Sequence, residues 1–236
     1  MPESVRLATI LCSCLGMLAV APPARAQNPN IGEQLAKSVG LDGFGQIDAI
    51  RFTFNGQVLG HSVSRSWVWS PKTGQISYSG KDKDGKPVKV TYVESQLDTA
   101  PAMVKDSIEP AFANDKYNLI FPLQAYWDGA AFDDKGTQKL PIGDGSAREV
   151  VVSYAPGDVW DLYVGSDNRV VAFVFHRGES GLKPSLATAS WGAYKKAGPL
   201  MISTDRRGTG DGQPLRVWLT GVAVKLAGSD AWVSAK

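Results

Sequence analysis

The chain has 236 residues, 43% of them hydrophobic, and its 25 basic and 23 acidic side chains give a formal net charge of +2. That near balance, with both signs interspersed, excludes the electrostatic footprint of a nucleic-acid or anionic-membrane binder. The length is ample for one domain with a sizeable core.

Arg6 precedes an apolar run over residues 7–21, which Pro22, Pro23 and the small-residue site Ala24-Arg25-Ala26 follow. This is the layout of a cleavable secretory signal. The run has 15 residues at most, short of the roughly 20 that a membrane span requires. The expectation is a signal peptide over residues 1–26 and a single β-rich domain over residues 27–236, released into the periplasm with no transmembrane segment. Removal of Arg6, Arg25 and Glu3 leaves 23 basic against 22 acidic residues. Both cysteines, Cys12 and Cys14, fall inside the leader, so disulfides, thiolate metal sites and cysteine nucleophiles drop out of the mature chain. Lipidation at Cys14 would instead make the protein an outer-membrane lipoprotein.

Ile31, Leu35 and Val39 recur every fourth residue ahead of Gly40, which predicts a short amphipathic helix lying across a sheet. Beyond Gly45 the period changes to two. Ile50, Phe52 and Phe54 alternate with Arg51 and Thr53, and Asn55-Gly56 reads as a hairpin turn. Trp67 and Trp69 share one face of the next strand, Ser70-Pro71-Lys72-Thr73-Gly74 turns the chain, and strands through Ile76 and Tyr78 and through Val88 to Tyr92 complete a meander. Residues 98–116 read as one or two short helices and residues 118–127 as an apolar segment interrupted by Pro122. Residues 128–147, rich in glycine, read as a long loop of the kind that is functional or mobile. Strands are predicted over residues 149–154, 159–164, 170–176, 185–195, 200–206 and 215–226, with turns at Pro156-Gly157-Asp158 and Ser166-Asp167-Asn168.

Catalytic motifs are scarce. His61 and His176 have no metal-type residue at ligand spacing. Gly178-Glu179-Ser180-Gly181 lacks the spacing of a nucleophile elbow. Gly208-Thr209-Gly210-Asp211-Gly212 precedes Pro214 and a β pattern rather than a helix, so it reads as a hairpin connection and not a phosphate loop. Asp82-Lys83-Asp84-Gly85 is a fragment of a calcium loop that a hairpin turn explains as well. The paired carboxylates Asp133 with Asp134, and Asp158 with Asp161, sit in polar segments without the environment that acid/base work requires. No cofactor, metal or catalytic residue is assigned. The positive signal is aromatic: Trp67, Trp69, Tyr78, Trp160, Phe173, Phe175 and Trp191 are spread over several strands, where they would either line an apolar pocket or fill an ordinary core.

The order of segments resembles the LolA-like superfamily of periplasmic lipoprotein carriers and their relatives. The resemblance rests on Trp67-Val68-Trp69-Ser70-Pro71-Lys72-Thr73-Gly74, on Tyr117-Asn118-Leu119-Ile120-Phe121-Pro122-Leu123, and on Pro156-Gly157-Asp158-Val159-Trp160-Asp161-Leu162-Tyr163-Val164 with the strand after it. It implies a mainly β fold with short helices, a curved antiparallel sheet or incomplete β-barrel with a helical lid, and a cavity for the lipid or acyl group of a lipoprotein. The cavity candidates are Trp67, Trp69, Phe121, Trp160 and Phe175, with residues 31–39 and 103–112 gating entry. The alternatives are a non-catalytic module with a filled core that binds another envelope protein, and an enzyme requiring His61 or His176 in a cleft beside a carboxylate. Intact-mass measurement of the exported protein should give a chain beginning at Gln27 with no titratable thiol. A mass that retains the leader, or a diacylglyceryl adduct at Cys14, would contradict this reading.

Overall fold

The computed structural model describes residues 30–58, 60–82, 84–154, 157–177 and 186–236. The leader and the Gly178 to Gly181 turn lie outside the described residues. One antiparallel sheet of thirteen strands carries the fold, with spatial order β4-β3-β2-β1-β12-β11-β9-β8-β7-β6-β5. The strands are β1 (Ile47–Val58), β2 (His61–Ser70), β3 (Gln75–Lys81), β4 (Pro87–Val93), β5 (Ala131–Lys139), β6 (Ser146–Ser153), β7 (Val159–Val164), β8 (Val170–His176), β9 (Leu186–Ser190), β10 (Gly192–Ala197), β11 (Leu200–Gly210), β12 (Gln213–Leu226) and β13 (Trp232–Ser234). β10 adds to β11 and β13 to β12 off the main path. The order runs from β4 at one end to β5 at the other, so the sheet is open. Among the described residues no helix is long and apolar enough to cross a membrane.

Two meanders form the sheet, and β12 returns to pair with β1 and join them. Closing the two wings around one face requires the chain to travel from β4 to β5, the two extreme edges. A 3₁₀ segment (Glu94–Thr99), a π-helical turn (Val104–Ile108) and helix α2 (Glu109–Trp127) make that crossing. Helix α1 (Ile31–Ser38) packs beside α2. Asn30 caps α1 by accepting from the Gly32 amide, and the Ser38 hydroxyl donates to the Asn168 carbonyl at 2.7 Å, tying α1 to the β7–β8 turn.

Four expectations are corrected. Asn55-Gly56 continues β1 instead of turning it. Val58 pairs with His61, and Gly60 just before His61 adopts φ +79°. A Cβ at Gly56 would sit 3.1 Å from Val63 and 3.3 Å from the Phe54 ring, so the glycine serves close packing. Residues 128–147 are not one long loop: β5 occupies nine of the twenty and pairs with β6, with a bulge beside Gly136 at φ +73°. Its Asp133, Asp134, Lys135 and Lys139 disguise it, because edge strands carry charge to block further pairing. The apolar segment at 118–127 is the second half of α2, kinked at Ile120 (φ −134°, ψ 29°) to admit Pro122. Residues 185–195 hold two strands, β9 and β10, broken at Trp191, whose amide donates to Val171.

The core divides in two. One cluster gathers Phe52, Phe54, Trp67, Trp69, Ile76 and Tyr78 of the first wing against Val104, Ile108, Phe112, Leu119 and Leu123 of the crossing segment. The other gathers Val150, Val152, Leu162, Phe173 and Trp191 against Leu35 of α1 and Phe121 of α2. One polar clamp fixes α2 to the first wing. Asp115, fully buried, accepts from Arg65 Nε at 2.7 Å and Nη2 at 2.6 Å, from Trp67 Nε1 at 2.8 Å and from Asn114 at 3.0 Å. Burial pushes its carboxyl above the ordinary carboxylate range, and the Arg65, Asn114 and Trp67 donors pull it back. Substituting Asp115→Ala strands the Arg65 guanidinium and the Trp67 indole, and should cost about 3 kcal/mol in chemical denaturation. The double change Arg65→Met with Asp115→Leu should recover most of that loss. A single-mutant loss of only a few tenths would show that the clamp does not hold the helix.

Candidate functional site

A cavity of about 680 Å³ lies between the N-terminal half of α2 and the inner face of the sheet. Ala113, Asn114, Tyr117 and Asn118 line one side. Their spacing of three and four residues puts them on one helix face. The opposite wall comes from Phe54, Trp160, Phe173, Phe175, Ala187, Leu215 and Val217, which project from five neighbouring and nearby strands by the two-residue alternation. Trp160 stacks on Phe175 with centroids 4.2 Å apart, tilts against Phe173 at 5.3 Å and against Phe121 at 4.5 Å. Offset and tilted rings at such distances are the favoured arrangement.

The five sequence candidates thus separate by position. Trp160 and Phe175 line the cavity. Phe121 is fully buried just beneath Trp160. Trp67 and Trp69 belong to the first cluster, where both pack on Phe112. Helix α1 does not line this cavity. Ala102, Met103, Asp106, Ser107, Ile108 and Ala111 instead border a second groove of about 580 Å³ against Arg65, Tyr78 and Val88.

The rim is polar. Asp128 at the end of α2 accepts from the Tyr117 hydroxyl at 2.7 Å, from Gln124 at 2.6 Å and from the Tyr154 hydroxyl at 3.4 Å. Burial, with Asp128 next, pushes the Tyr117 phenol up to about 12, so it stays a donor at neutral pH. Burial also raises Tyr154. Asp158 and Arg177 stand at the mouth, one of each sign.

The residue that sequence reading missed is Arg206 on β11. It is 1% exposed yet borders the cavity. Its guanidinium lies 3.8 Å over the Trp191 ring, and its Nη2 donates to the Asn118 carbonyl. That carbonyl is free because Pro122, four residues on, has no amide hydrogen to offer it. Nε and Nη1 of Arg206 are buried without a hydrogen-bond partner among the described residues. Neighbouring Asp205 faces the other side of the sheet, engaged by Arg207 and Arg216. The one sequence signal was an arginine at an inward position of a strand, opposite Val217.

His176 Nε2 lies 2.8 Å from Asp161 Oδ2, the contact that the enzyme reading required. The pair is on the outer face, because Trp160 and Phe175 beside it point inward, and the histidine side chain is 48% exposed. It borders none of the cavities described above. Among the described residues no cluster of three His, Cys, Asp or Glu side chains could hold a metal ion.

Burial pulls the Arg206 guanidinium below its ordinary value, and because a guanidinium keeps its proton in a protein, the site bears the cost of a dry, under-paired charge. Arg206→Met should therefore be at least as stable as wild type in denaturant unfolding at neutral pH. A marked loss of stability in that variant would mean that the guanidinium is fully paired.

No family model and no curated protein matches the chain. Among solved structures, the chain is similar to a DUF1329 family protein from Desulfovibrio piger, at 10% identity over 85% of this chain and 93% of that one, with a TM-score of 0.43.

Proposed function

We propose that this chain is a non-catalytic binding protein whose cleft holds the apolar part of a lipid or of an acylated ligand, and that it acts in the periplasm after loss of residues 1–26. The observation that carries the reading is the wall formed by Trp160, Phe173 and Phe175 with Leu215 and Val217, facing open volume instead of another layer of side chains. Each methylene moved from water onto such a wall contributes about 0.8 kcal/mol. A volume of about 680 Å³ is in the range of small-molecule sites, so a single acyl chain has both room and driving force. Such binding needs no reactive group. In a carrier, the chain would be handed on by separating α2 from the second wing, which it meets mainly through Phe121 and Ala125.

The dense packing of Trp67 and Trp69 supports a filled core at the other end of the molecule, the feature expected of an envelope interaction module. Native mass spectrometry of protein purified from a bacterial periplasm, followed by organic extraction, separates the two. The expected outcome is a co-purifying lipid that disappears in Phe175→Asp, a half-buried position, while circular dichroism stays unchanged. A bare mass, with no uptake of added fatty acid or phospholipid, would favour the interaction module.

A further inference from the structure

Within the binding reading just given, on which this inference rests, the ligand still lacks a head group. The sheet strands line the cleft with apolar side chains except at Arg206 on its floor, while α2 presents Asn114, Tyr117 and Asn118 across from it. A guanidinium with almost no exposure needs a counter-charge or a full set of hydrogen-bond acceptors, since an unpaired buried cation is costly. Arg206 has neither among the described residues. Asn118 supplies one carbonyl, Trp191 supplies a ring face, and two of the three nitrogens have no partner. Elsewhere among the described residues buried or half-buried arginines are satisfied, as Arg65 is by Asp115 and Arg216 by Asp205. Among the described residues Arg206 is the exception, and it borders the cavity of about 680 Å³.

We propose that Arg206 is the head-group site of the cleft and that the ligand is an acyl-chain anion, a long-chain carboxylate whose chain lies along Trp160, Phe173 and Phe175. One carboxylate placed at the floor would give the unpartnered nitrogens an acceptor and compensate the charge. A charge-assisted bond in a site shielded from water is stronger than a neutral one. The stack of Trp160 on Phe175 begins on the same inner surface, so a single extended amphiphile would use both. Arg177, at the mouth and exposed, is too solvated to add comparable selectivity.

Isothermal titration of the mature protein at neutral pH with decanoate and with decanol tests this, because the two probes share a chain and differ in charge. The expected result is that wild type binds decanoate about tenfold more tightly or better, that Arg206→Met brings the ratio to near one while decanol binding is kept, and that Arg177→Gln leaves the ratio high. Arg206→Gln, which keeps a donor for the Asn118 carbonyl, replaces Arg206→Met if the latter does not fold. If wild type binds both probes equally, the head-group site is overturned and the apolar cleft stands. A ratio that survives loss of the Arg206 charge overturns Arg206 as its source. If neither probe binds, the binding reading falls together with this one.

Discussion

The carboxylate of Asp115 is removed from water and shared among four donors, and the position of α2 depends on it. An open sheet of this size cannot bury both wings by curling alone, and the crossing helix is what fills the space between them. Apolar contacts hold that helix loosely in rotation, because Phe112, Leu119, Phe121 and Leu123 point to different parts of the two clusters. A directional clamp removes the ambiguity. With Arg65 forked on Asp115 and the Trp67 indole donating to it, Ala113, Asn114, Tyr117 and Asn118 have to face the second wing.

One turn further along, Pro122 has two effects. It bends the helix at Ile120, so that the C-terminal turn can follow the sheet to β5, and it frees the Asn118 carbonyl. Arg206 reaches that carbonyl from β11. The helix is therefore held to the first wing by a buried carboxylate and to the centre of the sheet by a buried guanidinium, with the cleft between the N-terminal half of α2 and the second wing. The two contacts differ in completeness. Asp115 is saturated, whereas Arg206 uses one nitrogen of three. An incompletely satisfied cation in a dry site weakens the empty state, and any anionic group entering the cleft would reverse that deficit.

The aromatic residues divide along the same line. Trp67 and Trp69 of β2 meet Phe112 and are sealed beneath α2, while Trp160, Phe173 and Phe175 of β7 and β8 pack on one another and leave volume in front of them. The difference lies not in the strands, which have the same alternation of large apolar residues, but in what the helix presents to each. Phe112 is a large ring facing Trp67 and Trp69. Ala113 and Asn114, small by comparison, stand across from Trp160 and Phe175.

Most of the strands are legible in the residues alone, because a period of two is written wherever one face is buried and the other is wet. Trp67 with Trp69 and Phe173 with Phe175 are read that way without any structure, as is α1 from Ile31, Leu35 and Val39. The pattern fails where local chemistry is ambiguous. β5 has an edge-strand composition that resembles a loop, Asn55-Gly56 has turn chemistry in a place where close packing to Phe54 and Val63 takes precedence, and Pro122 hides a helix that tertiary contacts on both sides keep intact. The cleft was beyond reach for a different reason. Whether a ring fills a core or walls a cavity depends on the residue across from it, and the partners here, Trp160 with Asn118 or Arg206 with the Asn118 carbonyl, are 42 and 88 positions apart in the chain. Only the tertiary structure brings them together, because the turn of α2 about its axis is set by Asp115 and not by any pattern within the helix.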